Sequence, residues 1–377
     1  MSARSFDAIV IGLGIMGAAA CAQLARRGRR VLGLEQFDIP HERGSSHGSS
    51  RVIRLAYYED ARYVPLLRRA YQLWRGLEHE VNERLLFITG GLDIGAPDAS
   101  EIRGVQQGLD DHQIPYETLD ISEVRRRYPM LSPPEDHVAV FQADTGFVVP
   151  ERGTIAHVEV ALSAGARIHA RERVLSWRAG NDCVEVRTDR DTYEAQRLVI
   201  TAGPWLARSV PELGRALRVE RQVQAWFLPT QPQPFRVGHM PVFIHHTDLG
   251  VFYAVPQHAR PGVKVCRHHG GRDADPDTDD RVPTREDEEV IRAYLRRHLP
   301  LADGPVLAMK VCMYTNSPDS HFIIDRHPAH PEVTLAGGFS GHGYKFGPVV
   351  GEIVADLATQ GRTDHVIDLF QVNRVLT

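Results

Sequence analysis

Residues 5–17, SFDAIVIGLGIMG, join a short apolar run to the glycine spacing G-x-G-x-x-G. An apolar run of this length that ends at a glycine turn predicts a buried parallel strand followed by a helix. In such a turn Gly12 makes the tight bend, Gly14 lets a diphosphate approach the backbone, and Gly17 lets the helix pack on the strand. The stretch therefore predicts the first turn of a dinucleotide-binding fold.

The residues after this turn complete a β–α–β unit. An alanine-rich helical pattern ends at Gly28, and the run 29–35, RRVLGLE, predicts a second strand. Glu35 lies 18 residues after Gly17, where a carboxylate can accept hydrogen bonds from ribose hydroxyls. The unit indicates dinucleotide binding, but it does not separate FAD from NAD.

The middle of the chain has the pattern of an antiparallel sheet. Short alternating runs occur at 85–94 and 138–141, and strand-like runs occur at 222–228 and 250–255. Between them, residues 271–289 are dense in charged residues and proline, which is typical of a solvated loop. We therefore expect an antiparallel region between two α/β segments.

The C-terminal part of the chain returns to the α/β pattern. Residues 333–336 predict a strand, residues 337–343 form the glycine-rich turn GGFSGHG, and residues 349–359 predict an amphipathic helix. A loop that leads into a helix presents free backbone N–H groups, which favour an anion. The nucleotide fold therefore both opens and closes the chain.

Composition and charge are those of a globular protein with a small ligand. Of the 377 residues 42% are hydrophobic and 24% are charged, as in typical soluble domains, while a net charge of −4 argues against nucleic-acid binding. No apolar run is long enough to span a bilayer, residues 1–4 do not begin a signal peptide, and residues 375–377 are not a peroxisomal tripeptide. The four cysteines include no C-x-x-C pair, which favours a reducing compartment. We therefore expect a cytoplasmic protein with no nucleic-acid or membrane partner.

Lysine is rare in this sequence. The 44 basic residues include only Lys264, Lys310 and Lys345, because arginine is used almost everywhere else. A retained lysine is a candidate for a position that needs a compact ammonium with an adjustable pKa. Chance survival is the alternative interpretation.

Four sequence blocks follow one another in a characteristic order. They are IVIGLGIMGAAA at 9–20, HGSSRVIR at 47–54, VCMYT at 311–315 with HFIID at 321–325, and GFSGHGYKF at 338–346. On these blocks the chain resembles, nearly end to end, the monomeric sarcosine oxidase and N-methyltryptophan oxidase family. That family belongs to the FAD enzymes related to D-amino-acid oxidase.

The resemblance implies an α/β fold of the glutathione-reductase and D-amino-acid-oxidase type. In this fold class a Rossmann-like FAD-binding domain carries an inserted antiparallel-sheet substrate domain. On this basis we assign residues 1–84, 148–218 and 312–377 to a discontinuous FAD-binding domain. Residues 85–147 and 219–311 are assigned to the substrate-binding domain.

The resemblance also implies FAD, bound covalently through an 8α-S-cysteinyl bond at Cys312. The other cysteines, Cys21, Cys183 and Cys266, are interpreted as small hydrophobic residues. A thioether would retain the cofactor and shift its potential, while the redox chemistry remains that of the flavin. The predicted cofactor-binding residues are Gly12, Gly14, Gly17, Glu35, Ser50, Arg51, Val174, Cys312, Gly341, Gly343 and Lys345.

A substrate with a free carboxylate needs a fixed cationic clamp, and a planar guanidinium with a second donor is suited to that task. By resemblance Arg54 and Lys345 form this clamp, and Tyr253 and Ile244 also line the substrate pocket. The resemblance assigns catalytic roles to Lys264, Arg51, His268 and Tyr253. Lys264 matches the lysine that promotes reaction with oxygen, since an ammonium stabilises a superoxide-like charge.

The implied reaction is oxidation of the C–N bond of a small secondary amino acid, with sarcosine as the first candidate. The products would be glycine, formaldehyde and hydrogen peroxide, the partners are only the amino acid and O2, and a monomer is the default state. Three departures from the family pattern concern the substrate: Ser49-Ser50 replaces Asp-Thr, Ser320 replaces an acidic residue, and Ile244 replaces a methionine.

Other functions remain open at this stage. The same chemistry could act on N-methyl-L-tryptophan or on a cyclic imino acid such as pipecolate. The glycine pattern alone permits an NAD(P)-dependent dehydrogenase, although it leaves the blocks around Cys312 and Lys345 unexplained. The nineteen histidines prompt a metalloenzyme, but H-E-x-x-H does not occur and the pair His327/His330 is flanked by prolines, so no metal is predicted.

Overall fold

The computed structural model describes residues 5–180 and 183–376. Residues 1–4, 181–182 and 377, which belong to the predicted FAD-binding segments, lie outside the described residues. The strands, numbered along the chain, are β1 (Ser5–Ile11), β2 (Val31–Leu34), β3 (Arg51–Ile53), β4 (Leu86–Ile88), β5 (Gly91–Gly95), β6 (Glu117–Asp120), β7 (Val138–Gln142), β8 (Gly146–Val148), β9 (Arg167–His169), β10 (Val174–Ala179), β11 (Val184–Thr188), β12 (Thr192–Ile200), β13 (Arg218–Phe227), β14 (Val242–Thr247), β15 (Gly250–Val255), β16 (Val263–His268), β17 (Val306–Asn316), β18 (Ile323–Arg326) and β19 (Val333–Gly337). The α-helices are α1 (Ile15–Arg26), α2 (Val64–Val81), α3 (Ser100–Asp111), α4 (Ile121–Arg127), α5 (Pro150–Ser163), α6 (Leu206–Ser209), α7 (Arg285–His298) and α8 (Gly347–Gln360).

The first sheet is built around β1, which pairs in parallel with β2 on one side and β12 on the other. Strand β9 pairs with the other edge of β2. Strand β12 has two further neighbours: its first residues pair with β11 and its last residues pair with β19. The strands β1 and β2 are almost wholly buried, as expected for a parallel sheet covered on both faces. Helix α1 packs between α5 and α8, so the N-terminal and C-terminal segments share one core.

The second sheet has the order β17-β13-β16-β15-β14-β5-β7-β6. Its pairs are antiparallel except for β14 and β5, which run in parallel. A third, small sheet joins β3, β8 and β4. The α/β segments at both ends and the antiparallel sheet between them agree with the order of elements that the sequence predicts.

The run 85–94 differs from its expected form. Instead of one alternating stretch, it contains β4 and β5, which belong to different sheets. The break falls at Gly90, whose φ of 71° lies in the left-handed region that favours glycine. The chain can therefore leave the small sheet and enter the large one within two residues.

The β1–α1 turn depends on glycine at two positions. Gly12 has a φ of 85°, and a Cβ on Gly17 would lie 1.9 Å from the carbonyl oxygen of Gly12. Because Gly17 has no Cβ, the first turn of α1 can pack against the end of β1, as predicted for the third glycine of the pattern.

Strand β17 is continuous through position 312 and pairs with β13 over its whole length. The predicted domain boundary between residues 311 and 312 therefore falls inside a strand, and Cys312 is carried by the antiparallel sheet. Among the residues that the structure describes, no helix is both long and apolar enough to cross a membrane.

Candidate active site

Two adjoining cavities lie between the first and second sheets. We call the first the glycine-turn cavity, since it is lined by residues of both glycine-rich turns together with, among others, Glu35, Val174, Thr201 and Trp205. We call the second the arginine–lysine cavity, since Arg54 and Lys345 both line it. The residues that line both cavities, and so mark their junction, are Arg51, Cys312, Tyr314, Gly341 and Tyr344.

The glycine-turn cavity begins at the N-terminus of α1. Gly14 caps this helix without a side-chain hydrogen bond, and the first turn contains no acidic residue. A Cβ on Gly14 would lie 3.0 Å from Oγ of Ser46, and that hydroxyl accepts from the backbone N–H of Ile15 at 3.1 Å. The turn therefore offers backbone donors and close approach, the two properties that a diphosphate requires.

Glu35 closes this end of the cavity at the C-terminal end of β2. Its Oε2 accepts from the backbone N–H of Leu13 at 2.8 Å and its Oε1 accepts from that of Phe37 at 3.0 Å. These bonds fix a buried carboxylate on the cavity wall, where its remaining lone pairs can accept from hydroxyl groups. The turn and this carboxylate together fit the diphosphate and ribose of a dinucleotide.

Arg51 and Cys312 meet at the junction of the cavities. The Arg51 guanidinium donates to the Sγ atom of Cys312 at 3.4 Å, to the carbonyl of Ser45 at 3.0 Å and to the amide oxygen of Gln224 at 3.1 Å. The side chain of Cys312 is only 3% exposed. The thiol and the guanidinium are therefore held in a fixed geometry by groups from both halves of the chain.

Lys264 lies behind this junction. It is buried, and its Nζ donates to the carbonyl of Gly48 at 2.9 Å and to that of Ser50 at 2.8 Å. Burial, together with the nearby charge of Arg51, lowers the pKa of Lys264 to about 7. The ammonium is therefore close to its titration point near neutral pH.

Arg54 and Lys345 both line the second cavity. The Arg54 guanidinium lies 4.6 Å from the ring centre of each of Tyr57 and Tyr58, and it donates to both carboxylate oxygens of Glu59 at 2.7 and 2.9 Å. Burial and the charge of Arg54 lower the pKa of Lys345 to about 7. The pair provides a rigid fork and an adjustable ammonium, a set of donors suited to a carboxylate.

Burial is the largest influence on both Arg54 and Glu59 and opposes their charged forms, but their mutual attraction and the other nearby polar groups together outweigh it. Glu59 raises the pKa of Arg54, and Arg54 lowers the pKa of Glu59. Both side chains are therefore charged at neutral pH. A ligand carboxylate that enters this cavity must share the guanidinium with Glu59.

The opposite wall is formed by β14, β15 and β16. Ile244 pairs with Tyr253 across β14 and β15, and Nδ1 of His268 lies 3.1 Å from the hydroxyl of Tyr314. Burial lowers the pKa of His268 well below its ordinary value, so its imidazole is neutral at physiological pH. His268, rather than its neighbour His269, lines this cavity, since His269 is paired with Glu220 on the far side.

Most of the residues predicted as site residues come together at these two cavities. The predicted residues that line the glycine-turn cavity are Gly12, Gly14, Glu35, Arg51, Val174, Cys312, Gly341 and Gly343. Those that line the arginine–lysine cavity are Arg51, Arg54, Ile244, Tyr253, His268, Cys312, Gly341 and Lys345.

Three predicted residues line neither cavity. Gly17 packs α1 on β1. The backbone carbonyl of Ser50 accepts hydrogen bonds from Lys264 and Arg51. Lys264 also donates to the carbonyl of Gly48 and lines neither cavity. Lys345 was also predicted to bind the cofactor, but it lines only the arginine–lysine cavity.

Sequence reasoning did not select several residues that line the second cavity. Tyr314, His342 and Tyr344 lie inside the quoted blocks and could have been found from their position between other site residues. Glu59 and Gln224 carry no motif, because their place depends on how distant segments meet.

Asp93 lies next to this cavity on β5, beside Ile244 in the parallel pair with β14. Its Oδ1 has no hydrogen-bond partner among the described residues. Burial raises the pKa of Asp93 to about 7, although the charge of Arg54 acts in the opposite direction. The buried wall of the site thus contains a second acidic group, which is close to its titration point at neutral pH.

The fold and the two cavities define a dinucleotide-dependent oxidoreductase with an inserted antiparallel sheet. The model of the FAD dependent oxidoreductase family matches residues 7–357, so the chain belongs to that family. The chain is 43% identical to a monomeric sarcosine oxidase of Streptomyces avermitilis, over 98% of both chains. It is 33% identical to an N-methyl-L-tryptophan oxidase of Escherichia coli, over 98% of this chain and 99% of the relative.

Solved structures agree with this assignment. NikD, described as an unusual amino acid oxidase essential for nikkomycin biosynthesis, superimposes with a TM-score of 0.87 and 27% identity over 98% of this chain and 97% of its own. The predicted fold class and the resemblance to sarcosine and N-methyltryptophan oxidases are confirmed. The predicted enzyme class, a flavin-dependent oxidase of amine C–N bonds, is also confirmed.

Proposed function

We propose that this protein oxidises sarcosine, or a closely related N-methyl amino acid, with O2 and water to the demethylated amino acid, formaldehyde and hydrogen peroxide. The observation that carries the proposal is the convergence of Arg54 and Lys345 in one buried cavity that adjoins Cys312. The cavity offers paired cations for one carboxylate. The similarity to sarcosine oxidases over the whole chain supports the same substrate class.

FAD is the cofactor of the family, and the glycine-turn cavity fits it. The α1 turn at Gly14 would hold the diphosphate, Glu35 the ribose, and the junction of the two cavities would receive the flavin ring. Cys312 would bond covalently to that ring, since its thiol stands at the junction beside Arg51. When bound, the flavin accepts a hydride equivalent from the carbon next to the substrate nitrogen and passes the electrons to O2.

The residues around the second cavity bind and orient the substrate. Arg54 and Lys345 would fix the carboxylate and so leave the amine free to face the junction. Burial raises the pKa of Tyr253 well above its ordinary value, so its hydroxyl stays protonated and can donate a hydrogen bond. His268 stays neutral and can accept one. Ile244 and Tyr58 also line this cavity.

Lys264 would act in the reaction with oxygen. The resemblance assigns this role, and the ammonium, which two carbonyls hold in place, supports it. A fixed positive charge in a dry site stabilises the negative charge that develops when O2 accepts an electron. We also propose a cytoplasmic monomer and retain the division into an FAD-binding and a substrate-binding domain, for which the two sheets provide support.

The proposal is tested by peroxide production from purified holoenzyme with sarcosine, N-methyl-L-alanine, N-methyl-L-tryptophan, L-pipecolate and glycine. Strong turnover of sarcosine and little turnover of glycine is the expected result. Faster turnover of N-methyl-L-tryptophan or pipecolate would reassign the substrate, and a yellow protein that is inactive with all five would refute the substrate class.

A further inference from the structure

Gln224 is a polar side chain in the interior of the antiparallel sheet. It lies near the end of β13, where its backbone is opposite Cys266 of β16 and Lys310 of β17. The side chain is 2% exposed and lines the arginine–lysine cavity. The next residues of β13, from Ala225 to Phe227, are buried and apolar, whereas Glu220, Arg221 and Gln222 before it are buried and polar.

The orientation of the Gln224 amide is set by Arg51. Its Oε1 accepts a hydrogen bond from the Arg51 guanidinium at 3.1 Å, and the flipped amide would place N–H groups against N–H groups. The Nε2 atom is consequently turned away from Arg51. It is buried and has no hydrogen-bond partner in the part of the chain that the structure describes. An unpaired buried donor costs roughly 1–3 kcal/mol.

The two cations of this region, Arg51 and Lys264, are donors. Arg51 has no acceptor, and neither has the ammonium of Lys264, which donates to the carbonyl of Gly48. Gln224 packs directly against Gly48. A Cβ atom built on this glycine would lie only 1.9 Å from Oε1 of Gln224. Nε2 is therefore an unpaired donor at the wall of the arginine–lysine cavity, where an acceptor atom of a bound molecule would satisfy it.

We propose that Gln224 is a further ligand-binding residue of this site, whose Nε2 donates a hydrogen bond to an electron-rich acceptor of a molecule bound at the arginine–lysine cavity. The inference rests on the proposed function as a flavin oxidase. The acceptor is a carbonyl oxygen or ring nitrogen of the flavin, or dioxygen as it becomes negatively charged. Gln224 is hydrogen-bonded to Arg51, which lies at the junction of the two cavities beside Cys312, whereas Arg54 and Lys345 line only the arginine–lysine cavity.

The test compares the holoenzyme with Gln224→Leu, which keeps the bulk of the side chain and removes the donor. Three quantities are measured: the absorption spectrum and reduction potential of the flavin, the rate of reoxidation by O2 after dithionite reduction, and the binding of acetate followed by flavin absorbance. We expect reoxidation to slow by about tenfold, the effect of one hydrogen bond to a charged acceptor, while acetate affinity stays the same. A changed spectrum or potential assigns the acceptor to the flavin, and a change confined to reoxidation assigns it to oxygen.

Two further variants keep the test decisive. Gln224→Glu retains the size of the side chain and replaces the donor by an acceptor, so it should slow reoxidation at least as much as Gln224→Leu. Thr334→Val is the matched control, because the Thr334 hydroxyl is also buried and unpaired among the described residues but lines neither cavity. It should leave flavin and oxygen kinetics unchanged and slightly raise stability.

The inference is wrong if Gln224→Leu behaves like Thr334→Val, or if it changes only the affinity for acetate. Dithionite reduction makes these outcomes independent of the amino-acid substrate. A failure of sarcosine as substrate is therefore distinguishable from a failure of the role of Gln224.

Discussion

At the scale of single residues, the site is a set of buried charges whose positions are fixed before a substrate arrives. Arg54 lies between two tyrosine rings and is paired with Glu59. Lys345 donates to the carbonyl of His342 at 2.6 Å. Because these groups are already oriented, carboxylate binding needs little rearrangement of the donors themselves.

The first prediction concerns Arg54. Arg54→Lys keeps the charge but loses the planar fork that can serve Glu59 and a substrate carboxylate together. We expect kcat/KM for sarcosine to fall by about 10- to 100-fold, the loss of one charged hydrogen bond, mainly through KM. Steady-state peroxide assays measure this. Arg62→Lys, an exposed arginine paired with Asp60, is the control, and an equal effect in both variants would contradict the role of Arg54.

The second prediction concerns Cys312. Cys312→Ser removes the sulfur that would bond to the flavin, so the cofactor should leave the protein when it is denatured in acid. The measurement is flavin absorbance in the precipitate and in the supernatant. In the unaltered protein and in Cys183→Ser, which changes an exposed cysteine, the flavin should stay with the precipitate. Release of flavin from the unaltered protein would rule out the covalent bond.

The third prediction follows from the buried carboxyl of Asp93. Burial raises its pKa from 3.8 to about 7, so the folded chain holds a proton that the unfolded chain has lost. The corresponding stability is fully present below pH 3.8 and is lost as the pH rises through about 7. Asp93→Asn cannot lose this proton, so the variant should gain stability relative to the unaltered protein as the pH rises.

Thermal unfolding at pH 5 and pH 8 measures this effect. The difference in Tm between Asp93→Asn and the unaltered protein should be larger, in favour of the variant, at pH 8. Asp98→Asn, which changes an exposed carboxylate near the end of the same strand, should give the same difference at both values. A pH-independent difference for Asp93→Asn would show that the carboxyl does not titrate in this range.

At the scale of elements, the sequence predicts what depends on local pattern. The β1–α1 turn, the second strand and the C-terminal strand, turn and helix all occur where the apolar runs and glycines indicate. The roles of Gly12 and Gly17 could be stated in advance because a glycine turn constrains its own neighbours. Local pattern could not divide 85–94 between two sheets, since the choice of pairing partner is made by distant strands.

The same limit applies to the candidate site. Residues inside recognisable blocks, such as Arg54 and Cys312, could be predicted. Gln224 could not, because its role arises only from its neighbours across β16 and β17 and from Arg51, which is 173 residues away in the chain. Asp93 likewise becomes notable only once β5 lies beside β14.

The fourth prediction compares two helical glycines. Gly17→Ala in α1 would place a Cβ 1.9 Å from the carbonyl oxygen of Gly12, so α1 must move away from the turn that would hold the diphosphate. We expect less flavin to be bound and attached at Cys312 as the protein forms, so that the purified variant contains less flavin than the unaltered protein. Gly76→Ala in α2 meets no atom within 4 Å and should raise stability by roughly 0.5–1 kcal/mol, as helix propensity requires. Flavin content by absorbance and Tm by thermal unfolding measure the two effects, and full flavin occupancy in Gly17→Ala would contradict the prediction.

At the scale of the whole molecule, the site depends on segments from the two ends of the chain and from the inserted sheet. Helices α1 and α8 share a core, which brings Arg54 and Lys345 to one cavity although 291 residues separate them. The charged loop 271–284 extends from the antiparallel sheet toward the first sheet. It is held there by Asp277, which accepts from Nε1 of Trp205 at 2.8 Å, and by Asp275, which pairs with Arg208.

Arg281 is the centre of this connection. Its guanidinium donates to the carbonyl of Pro276 at 2.6 Å within the loop and to that of Arg43 at 3.1 Å in the segment after β2. That segment carries several residues of the glycine-turn cavity. Arg281 thus joins the loop to this segment, in addition to the contacts that Asp277 and Asp275 make with Trp205 and Arg208.

The fifth prediction is that Arg281 retains the cofactor when the covalent bond is absent. In a Cys312→Ser background, Arg281→Ala should weaken flavin binding by about 30-fold, because the two hydrogen bonds to the carbonyl of Arg43, of about 1 kcal/mol each, are lost. Flavin fluorescence during dialysis measures the release. Arg285→Ala, at an exposed position at the start of α7, is the matched control and should not change the rate.

With Cys312 intact, Arg281→Ala should lower Tm but leave the flavin bound, since the thioether retains the cofactor whatever the loop does. Equal rates of flavin release from the Arg281→Ala and Arg285→Ala double variants would contradict the prediction. They would mean that the loop does not help to retain the flavin.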